Sequence, residues 1–174
     1  MRPLLRDVVE ADIAQIQSIY SHHVLHGAAS FEEVPPDLAE MSARFAALKA
    51  RNMPYVAAVE DGRILGYAYA GPYRPRSAYR FTVEDSIYLA PDAAGRGLGR
   101  TLLAEIIARS TALGMRQMIA VIGDSANVAS IGLHRALGFE MIGTFPAIGF
   151  KFGRWIDSVL MQRALGDGQA TLPE

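Results

Sequence analysis

The sequence predicts a mixed α/β fold, in which one β-sheet carries helices on both of its faces. Predicted strands outnumber predicted helices, and the two types alternate along the chain. The pair Asp61-Gly62 joins two apolar runs, as a β-hairpin turn does. The chain has 174 residues, a length that suits one domain with a proper core. We expect this domain to span residues 1–165.

The composition excludes several functional classes. Hydrophobic residues make up 51% and charged residues 20% of the chain, and the net charge is −1. No strong field therefore points to a nucleic acid or an anionic membrane as a partner. The absence of cysteine excludes disulfides, thiolate zinc sites and a cysteine nucleophile. Neither a signal peptide nor an apolar run that could span a bilayer is recognisable, so we expect a soluble cytoplasmic protein.

The first third of the chain predicts a strand, two helices and a loop between them. Residues 3–6 suit a short strand, and apolar residues recur at helical spacing over residues 10–25. Two adjacent prolines place a loop at residues 30–37. A second helix is predicted over residues 38–51, with Asp37 as its N-terminal cap.

The middle of the chain predicts the hairpin, a loop, a long strand and a helix. A polar loop with two prolines is expected at residues 72–80, and a strand over residues 81–90. Apolar residues on one face predict a helix from Leu98 to about Leu113. Gly114 suits the end of that helix.

The last third predicts a strand, a helix, two more strands and a tail. A buried strand is expected over residues 116–123, and a short helix over residues 125–139 that is closed by Gly138. Two strands then extend to about Leu165. Residues 166–174 are expected to form a flexible tail.

Three alternate glycines precede the third predicted helix, in the stretch PDAAGRGLGR. Gly95, Gly97 and Gly99 would let a phosphate approach the free N–H groups and the positive dipole end of a helix. Arg96 and Arg100 would add charge-assisted donors. The pattern is not a P-loop, because no Lys-Ser/Thr pair follows, and Arg100 occupies the last glycine position of a dinucleotide fingerprint. A tight turn without a ligand is the alternative interpretation.

Two sequence blocks carry a resemblance to a known enzyme family. The first follows the pattern [QR]-x-x-G-x-[GA] over residues 94–99, except that Ala94 replaces the initial Gln or Arg. The second consists of Asn127, Ser130, His134, Gly138 and Phe139. Together they resemble the GNAT superfamily of acetyl-CoA-dependent N-acetyltransferases. Ala94 removes one side-chain donor from the first block and leaves its backbone amides untouched.

The resemblance implies both a fold and a co-substrate. The fold is a mostly antiparallel sheet of about six to seven strands, flanked by about four helices and splayed between strands 4 and 5. The co-substrate is acetyl-CoA, and no metal is implied. The pyrophosphate would bind at Gly95, Arg96, Gly97, Leu98, Gly99 and Arg100. The pantetheine arm would follow the backbone of Ile87, Tyr88 and Leu89, and Asn127 and Ser130 would bond to it, although helix capping is their alternative role.

Three longer stretches resemble a narrower group within that superfamily. YAYAGPYRPRSAYRFTVEDSIYL, VASIGLHRALGF and GFKFGRWIDSVLMQR are similar to the phosphinothricin and methionine sulfoximine N-acetyltransferases. This resemblance implies a small amino-acid analogue as the acceptor, acetylated on its α-amino group, and a homodimer. The substrate would contact Phe31, Arg74, Arg76, Tyr79 and Arg80, while residues 151–155 would shape the far wall or the dimer contact.

Glu84 is the candidate general base in this interpretation. An α-ammonium group must lose a proton before it can attack, and a carboxylate can accept that proton directly or through water. The alternative is an ordinary ion-paired strand glutamate. In a regular strand Asp85 points to the opposite face, so we do not expect both carboxylates to line one pocket. A strand bulge, which the resemblance implies is frequent at this place, would change that.

His134 takes the place of a tyrosine that many GNAT members use to protonate the leaving thiolate. An imidazolium can perform this step near neutral pH. Core packing of the ring, or contact with CoA, is the alternative. His22, His23 and His26 are not expected to bind a metal, since no third ligand is evident, and a partly exposed helix face is the preferred interpretation.

Two further functions fit the same sequence motifs. A non-catalytic acyl-CoA sensor would keep the glycine loop and would not need Glu84. A protein N-terminal acetyltransferase would need an open acidic groove for a peptide, and the arginines of residues 72–80 argue against such a groove.

Overall fold

The computed structural model of the protein describes residues 3–173. Within this range the chain forms seven strands and four α-helices. In chain order these are β1 (Leu4–Asp7), α1 (Ile13–His26), α2 (Leu38–Ala50), β2 (Tyr55–Glu60), β3 (Arg63–Pro72), β4 (Thr82–Leu89), α3 (Leu98–Ala112), β5 (Gln117–Gly123), α4 (Val128–Ala136), β6 (Glu140–Lys151) and β7 (Arg154–Ala164). Met1, Arg2 and Glu174, which belong to the predicted domain and tail, lie outside the described residues.

The strands form one sheet in the order β1-β2-β3-β4-β5-β7-β6. Each pair of neighbours is antiparallel except β4 and β5, which are parallel. β4 pairs with β5 only through Thr82, Val83 and Glu84, and the last of these pairs is Glu84 with Ile119. Past this pair the two strands separate. The predicted fold, a mostly antiparallel sheet splayed between its fourth and fifth strands, is confirmed.

Opposite faces of the sheet are covered by different helices, as predicted. Successive residues of a strand point to opposite faces, and two neighbours in β4 show this. Tyr88 packs against Tyr20 of α1, with ring centroids 5.0 Å apart, whereas the Leu89 side chain faces Gly99 at the start of α3. α2 shares the face of α1, and α4 shares the face of α3.

Local side chains determine where two of the helices begin and end. The Asp37 carboxylate accepts a hydrogen bond from the Glu40 amide at 2.8 Å, which confirms the predicted cap of α2. The prediction of a helix over residues 125–139 was too long. The Asn127 side chain caps α4 just before Val128, and Gly138, with a φ of 83°, follows its end.

The first helix also starts later than predicted. Residues Glu10–Asp12 form a 3-10 turn, and α1 begins at Ile13. The Asp12 carboxylate holds this turn, since it accepts hydrogen bonds from Arg6 at 2.6 Å and from the Val9 amide at 2.9 Å.

The β2–β3 hairpin has the predicted turn. Asp61 and Gly62 both have positive φ, 51° and 78°. A two-residue turn of this kind matches the twist of the strands that it joins. The two strands pair in antiparallel register on either side of it.

Residues 166–173, expected as a flexible tail, fold back on the domain. The Arg116 guanidinium donates hydrogen bonds to the Thr171 hydroxyl at 3.0 Å and to the Leu172 carbonyl at 3.2 Å. Leu165, just before this segment, is buried.

Candidate active site

The splay between β4 and β5 opens a cavity of about 890 Å³. Its size is at the upper end of the usual range for small-molecule sites. Most of the predicted site residues line it: Phe31, Glu84, Ile87, Tyr88, Leu89, Gly95, Gly97, Leu98, Gly99, Arg100, Asn127, Ser130 and His134. The predicted residues that are absent from this lining are Arg74, Arg76, Tyr79, Arg80 and Arg96.

The glycine loop at the start of α3 has the backbone of an anion site. Gly95 and Gly97 both have a φ of 77°, a conformation that favours glycine. A Cβ added at either residue would meet no atom within 4 Å, so the space beside them is open. Gly97 directly precedes α3, whose first N–H groups have no partner in the helix. The loop can therefore hold a phosphate against bare backbone.

The two arginines of this loop lie in different positions. Arg96 donates to both oxygens of Glu60, at 2.8 and 3.1 Å, and lies outside the cavity lining. Arg100 lies on the lining, and no ion pair engages it within residues 3–173. Arg100 is therefore the better placed of the two for contact with a phosphate.

Arg100→Ala should raise the KM for acetyl-CoA by about 3- to 10-fold, the loss of one exposed charge-assisted hydrogen bond. The KM for the amine should change much less. Steady-state kinetics with each substrate varied in turn measure both values. Arg63→Ala is the matched control, because Arg63 pairs with Asp92 away from the cavity. A larger effect on the amine than on acetyl-CoA would contradict this placement of Arg100.

The part of β4 beyond Glu84 borders the cavity through Ile87, Tyr88 and Leu89. His23 of α1 also lines the cavity, and its Nε2 lies 2.8 Å from the Leu89 carbonyl oxygen. Burial lowers the pKa of His23, although the bond to Leu89 opposes this effect. His23 is half-buried, in keeping with the partly exposed helix face that the sequence predicts. No sequence signal could have identified this contact, because its partners are 66 positions apart.

Glu84 lies at the point where β4 and β5 separate. Burial raises the pKa of Glu84 to about 7, with a smaller contribution from the negative charge of Asp85 and an opposing one from Arg74. A carboxyl group with this pKa is present in both protonation states near neutral pH. Glu84 is therefore suited to accept a proton there.

Asp85 and His134 form a buried pair between β4 and α4. His134 Nε2 lies 3.0 Å from Asp85 Oδ2, and both side chains are at most 5% exposed. Asp85 points away from Glu84, as predicted for a regular strand. Asp85 is among the residues that line the cavity, but its side chain is only 2% exposed, so its carboxylate faces His134 and not the space beside Glu84.

Asn127 and Ser130 meet at the start of α4. The Asn127 Oδ1 accepts a hydrogen bond from the Ser130 amide at 3.2 Å. This contact is the capping role that the sequence left open for Asn127. Both residues also line the cavity, so the cap and a contact with a ligand are compatible.

The segment that follows α1 closes one end of the cavity. Lys151 of β6 is buried, and its Nζ donates to the carbonyls of Gly27 at 2.9 Å and Ser30 at 2.7 Å. Phe31 rests against Gly149 of β6, where a Cβ would lie only 2.4 Å from the ring. The β6 strand thus fixes Phe31 at the cavity, as a wall residue requires.

The four predicted substrate residues of the 72–80 loop lie outside this cavity. Arg80 stacks on Phe81 and donates to the Ser77 carbonyl at 3.3 Å. The ring of Tyr79 meets Tyr73 edge-on at 5.5 Å.

Arg74 differs from the other residues of that loop. It lines a second cavity of about 460 Å³ beside Tyr69 and Leu48, and its charge acts on Glu84. Arg76 is exposed. Arg74 is therefore the loop arginine that is electrostatically coupled to the candidate base.

No metal site or membrane helix was found in the part of the chain that the structure describes. Within residues 3–173, no three His, Cys, Asp or Glu side chains converge as a metal site would require. None of the helices in that range is long and apolar enough to cross a bilayer.

The fold and the site define the class of protein. A glycine loop that can hold a phosphate precedes α3, a splay opens a cavity beside it, and a carboxyl group with a raised pKa lies at the splay. These features suit transfer of a group from a phosphate-bearing carrier. The sequence profile of the acetyltransferase (GNAT) domain matches residues 5–160, so the chain belongs to the GNAT acetyltransferase family.

The chain is similar to three other members of this class. It is 59% identical to a phosphinothricin N-acetyltransferase of Alcaligenes faecalis, over 98% of this chain and 86% of that protein. It is 44% identical to an L-methionine sulfoximine/L-methionine sulfone acetyltransferase of Pseudomonas paraeruginosa, over 93% and 94%. A crystal structure of a GNAT superfamily phosphinothricin acetyltransferase from Sinorhizobium meliloti, in complex with AcCoA, matches with a TM-score of 0.97 and 54% identity, over 100% and 94%. This chain is thus an acetyl-CoA-dependent N-acetyltransferase.

Proposed function

We propose that the enzyme acetylates the α-amino group of a small amino-acid analogue of the phosphinothricin, methionine sulfoximine or methionine sulfone type. The observation that carries the proposal is the position of Glu84, between the large cavity and the arginine-bearing loop. The names of the relatives support the acceptor class. An acceptor of this class has an ammonium group for Glu84 and an acidic group for an arginine.

Acetyl-CoA supplies the acetyl thioester, and the residues around the cavity fit it. The glycine loop and Arg100 would hold its pyrophosphate, since they combine open backbone with a cation on the cavity lining. The β4 edge past Glu84 would hold the pantetheine arm, because β5 has moved away from it there. Asn127 would contact the arm from α4.

Glu84 would act as the general base, directly or through one water molecule. It accepts a proton from the acceptor ammonium, and the neutral amine then attacks the thioester carbonyl. An N–H group on the open edge of β4 can stabilise the oxyanion that forms. His134 would return a proton to the leaving thiolate.

Arg74 would bind the acidic group of the acceptor. It is the loop cation whose charge acts on Glu84. It stacks on the Tyr73 ring, whereas Arg80 both stacks on Phe81 and donates to the Ser77 carbonyl. Phe31 would supply the apolar wall opposite, since the β6 strand fixes its position.

Release of CoA tests this assignment. Steady-state assays with acetyl-CoA should show turnover with at least one of methionine sulfoximine, methionine sulfone and phosphinothricin. A peptide with a free N-terminal alanine serves as the comparison acceptor. Turnover of the peptide alone would replace the proposed acceptor class with a protein N-terminus, and no turnover of the three analogues would overturn the assignment.

We also propose that the enzyme is a homodimer that uses the β6 edge of the sheet. β6 is a terminal strand of twelve residues, and large apolar side chains on β6 and β7 are more than half exposed: Ile142, Ile148, Phe150 and Trp155. An apolar edge of this length favours association unless it is covered. A second copy of the chain would cover it.

Phe150→Glu should convert the dimer into a monomer, because it places a charge within the apolar contact. Analytical ultracentrifugation measures the mass of each variant. Leu4→Glu is the matched control, since Leu4 is 65% exposed on β1 at the other edge of the sheet. A monomeric parent protein, or a Phe150→Glu variant that stays dimeric, would refute this interface.

A further inference from the structure

Both ring nitrogens of His134 face hydrogen-bond acceptors. Nε2 lies 3.0 Å from Asp85 Oδ2, and Nδ1 lies 2.7 Å from the carbonyl oxygen of Ser130. A carboxylate and a backbone carbonyl only accept hydrogen bonds, so both contacts are satisfied only if the ring carries two protons. The geometry therefore favours an imidazolium, buried in a pair with the Asp85 carboxylate.

The surroundings of the ring contain few other charges. Glu84 precedes Asp85 on β4, and Arg163 of β7 donates to the Leu137 carbonyl beyond the end of α4. The Phe139 ring meets the imidazole edge-on at 5.0 Å. Burial by itself lowers the pKa of His134, but the bond to Asp85 and the Asp85 charge, with the Ser130 carbonyl, raise it above its ordinary value.

The pair also determines which proton can leave the ring. Asp85 engages Nε2 in a position with almost no exposure, so the proton on that nitrogen has no open path. Nδ1 lies on the side of Ser130 and shares its proton between two acceptors of that residue, the carbonyl oxygen at 2.7 Å and the hydroxyl oxygen at 3.4 Å. Ser130 lines the cavity, and its hydroxyl can both donate and accept a proton.

We propose that Asp85 is a positioning residue for proton delivery, because its hold on Nε2 leaves Nδ1 of His134 to supply the proton for the leaving thiolate through the Ser130 hydroxyl. The hydroxyl gives its own proton to the sulfur and takes the Nδ1 proton in return. The ring becomes neutral and keeps its Nε2–H on Asp85. Solvent restores the second proton after CoA has left. This inference rests on the reaction proposed above.

The pH profile of kcat tests the role of Asp85. In the wild type the raised pKa of His134 keeps the ring protonated, and activity is lost only as the pH rises through that value. Asp85→Asn removes the negative charge that raises the pKa of His134. The basic limb of the kcat profile should therefore move to lower pH by about one unit or more. At about pH 8, kcat should fall about tenfold, while the KM for acetyl-CoA stays within about twofold. The acidic limb should also move down, because the pKa of Glu84 loses the contribution of Asp85.

Two further variants separate this role from a structural one. In a His134→Gln background, Asp85→Asn should have almost no additional effect on kcat, because Asp85 acts only through the proton that His134 delivers to the thiolate. Ser130→Ala should lower kcat and leave both limbs in place. Ser125→Ala is its matched control, because the Ser125 hydroxyl bonds Asp157 away from the cavity lining.

A spectroscopic measurement decides the proposal even if Asp85→Asn fails to fold. Nitrogen-15 NMR of the wild type should show His134 with two protonated nitrogens at neutral pH, whichever acceptor the enzyme uses. A neutral ring at that pH, or an Asp85→Asn variant that folds and keeps its basic limb, would overturn the proposal. A failure of all three amino-acid analogues as acceptors would instead overturn only the proposed substrate, since the NMR result does not depend on it.

Discussion

Glu84→Gln should lower kcat by about 10²- to 10⁴-fold near neutral pH and leave the KM for acetyl-CoA almost unchanged. This range is the usual contribution of a general base. Glutamine has nearly the same shape and cannot accept the ammonium proton. Initial rates of CoA release, with each substrate varied in turn, measure both quantities. A variant with the wild-type kcat would exclude Glu84 as the base.

The wild-type pH profile provides an independent test of the same residue. Because Glu84 must be ionised to accept a proton, kcat should rise with pH through about 7, the pKa that burial and Asp85 impose on Glu84. An acidic limb near the ordinary pKa of a glutamate would contradict this assignment. In Glu84→Gln the limb should disappear from the residual activity.

Stability measurements separate an effect of Glu84→Gln on chemistry from a loss of folding. The pKa of Glu84 is raised on folding, so between about pH 4.5 and 7 the folded protein holds a proton that the unfolded chain has lost. The wild type therefore loses stability as the pH rises through this window. At about pH 8, Glu84→Gln should raise the free energy of unfolding by roughly 1–3 kcal/mol, and the gain should vanish below about pH 4.5.

Gly123→Ala should disrupt the acceptor end of the cavity. A Cβ on Gly123 would lie 1.9 Å from the carbonyl oxygen of Ala28 and 3.0 Å from the Phe31 ring. The backbone after α1 must then move away from β5, which would strain the bonds from Lys151 and displace Phe31. We expect kcat/KM for the amine to fall more than about tenfold, and overpacking to cost about 1–3 kcal/mol of stability. Steady-state kinetics and thermal unfolding measure the two effects.

Gly132→Ala is the matched control for that variant. Gly132 is exposed in the middle of α4, and an added Cβ there meets no atom within 4 Å. Alanine should stabilise the helix by about 0.5–1 kcal/mol and leave the kinetics unchanged. A Gly123→Ala enzyme that behaves like Gly132→Ala would show that the segment after α1 does not shape the site.

The sequence by itself determined the features that depend on neighbouring residues. The Asp37 cap, the Asp61-Gly62 turn and the glycine loop before α3 follow from local dihedral preferences and from hydrogen bonds across a few positions. These features were therefore predictable from the order of the residues. The sheet with its splay came from the resemblance of two blocks to a known family, since periodicity alone does not specify which strands pair.

Only the tertiary structure decided which side chains meet at the site. Arg96 binds Glu60 across 36 positions, His134 binds Asp85 across 49, and Lys151 reaches Gly27 across 124. No local preference encodes such partners, because the order of the strands and the packing of helices on them bring the residues together. For the same reason the sequence could identify Glu84 and His134 as candidates and could not show that Asp85 holds the histidine in place.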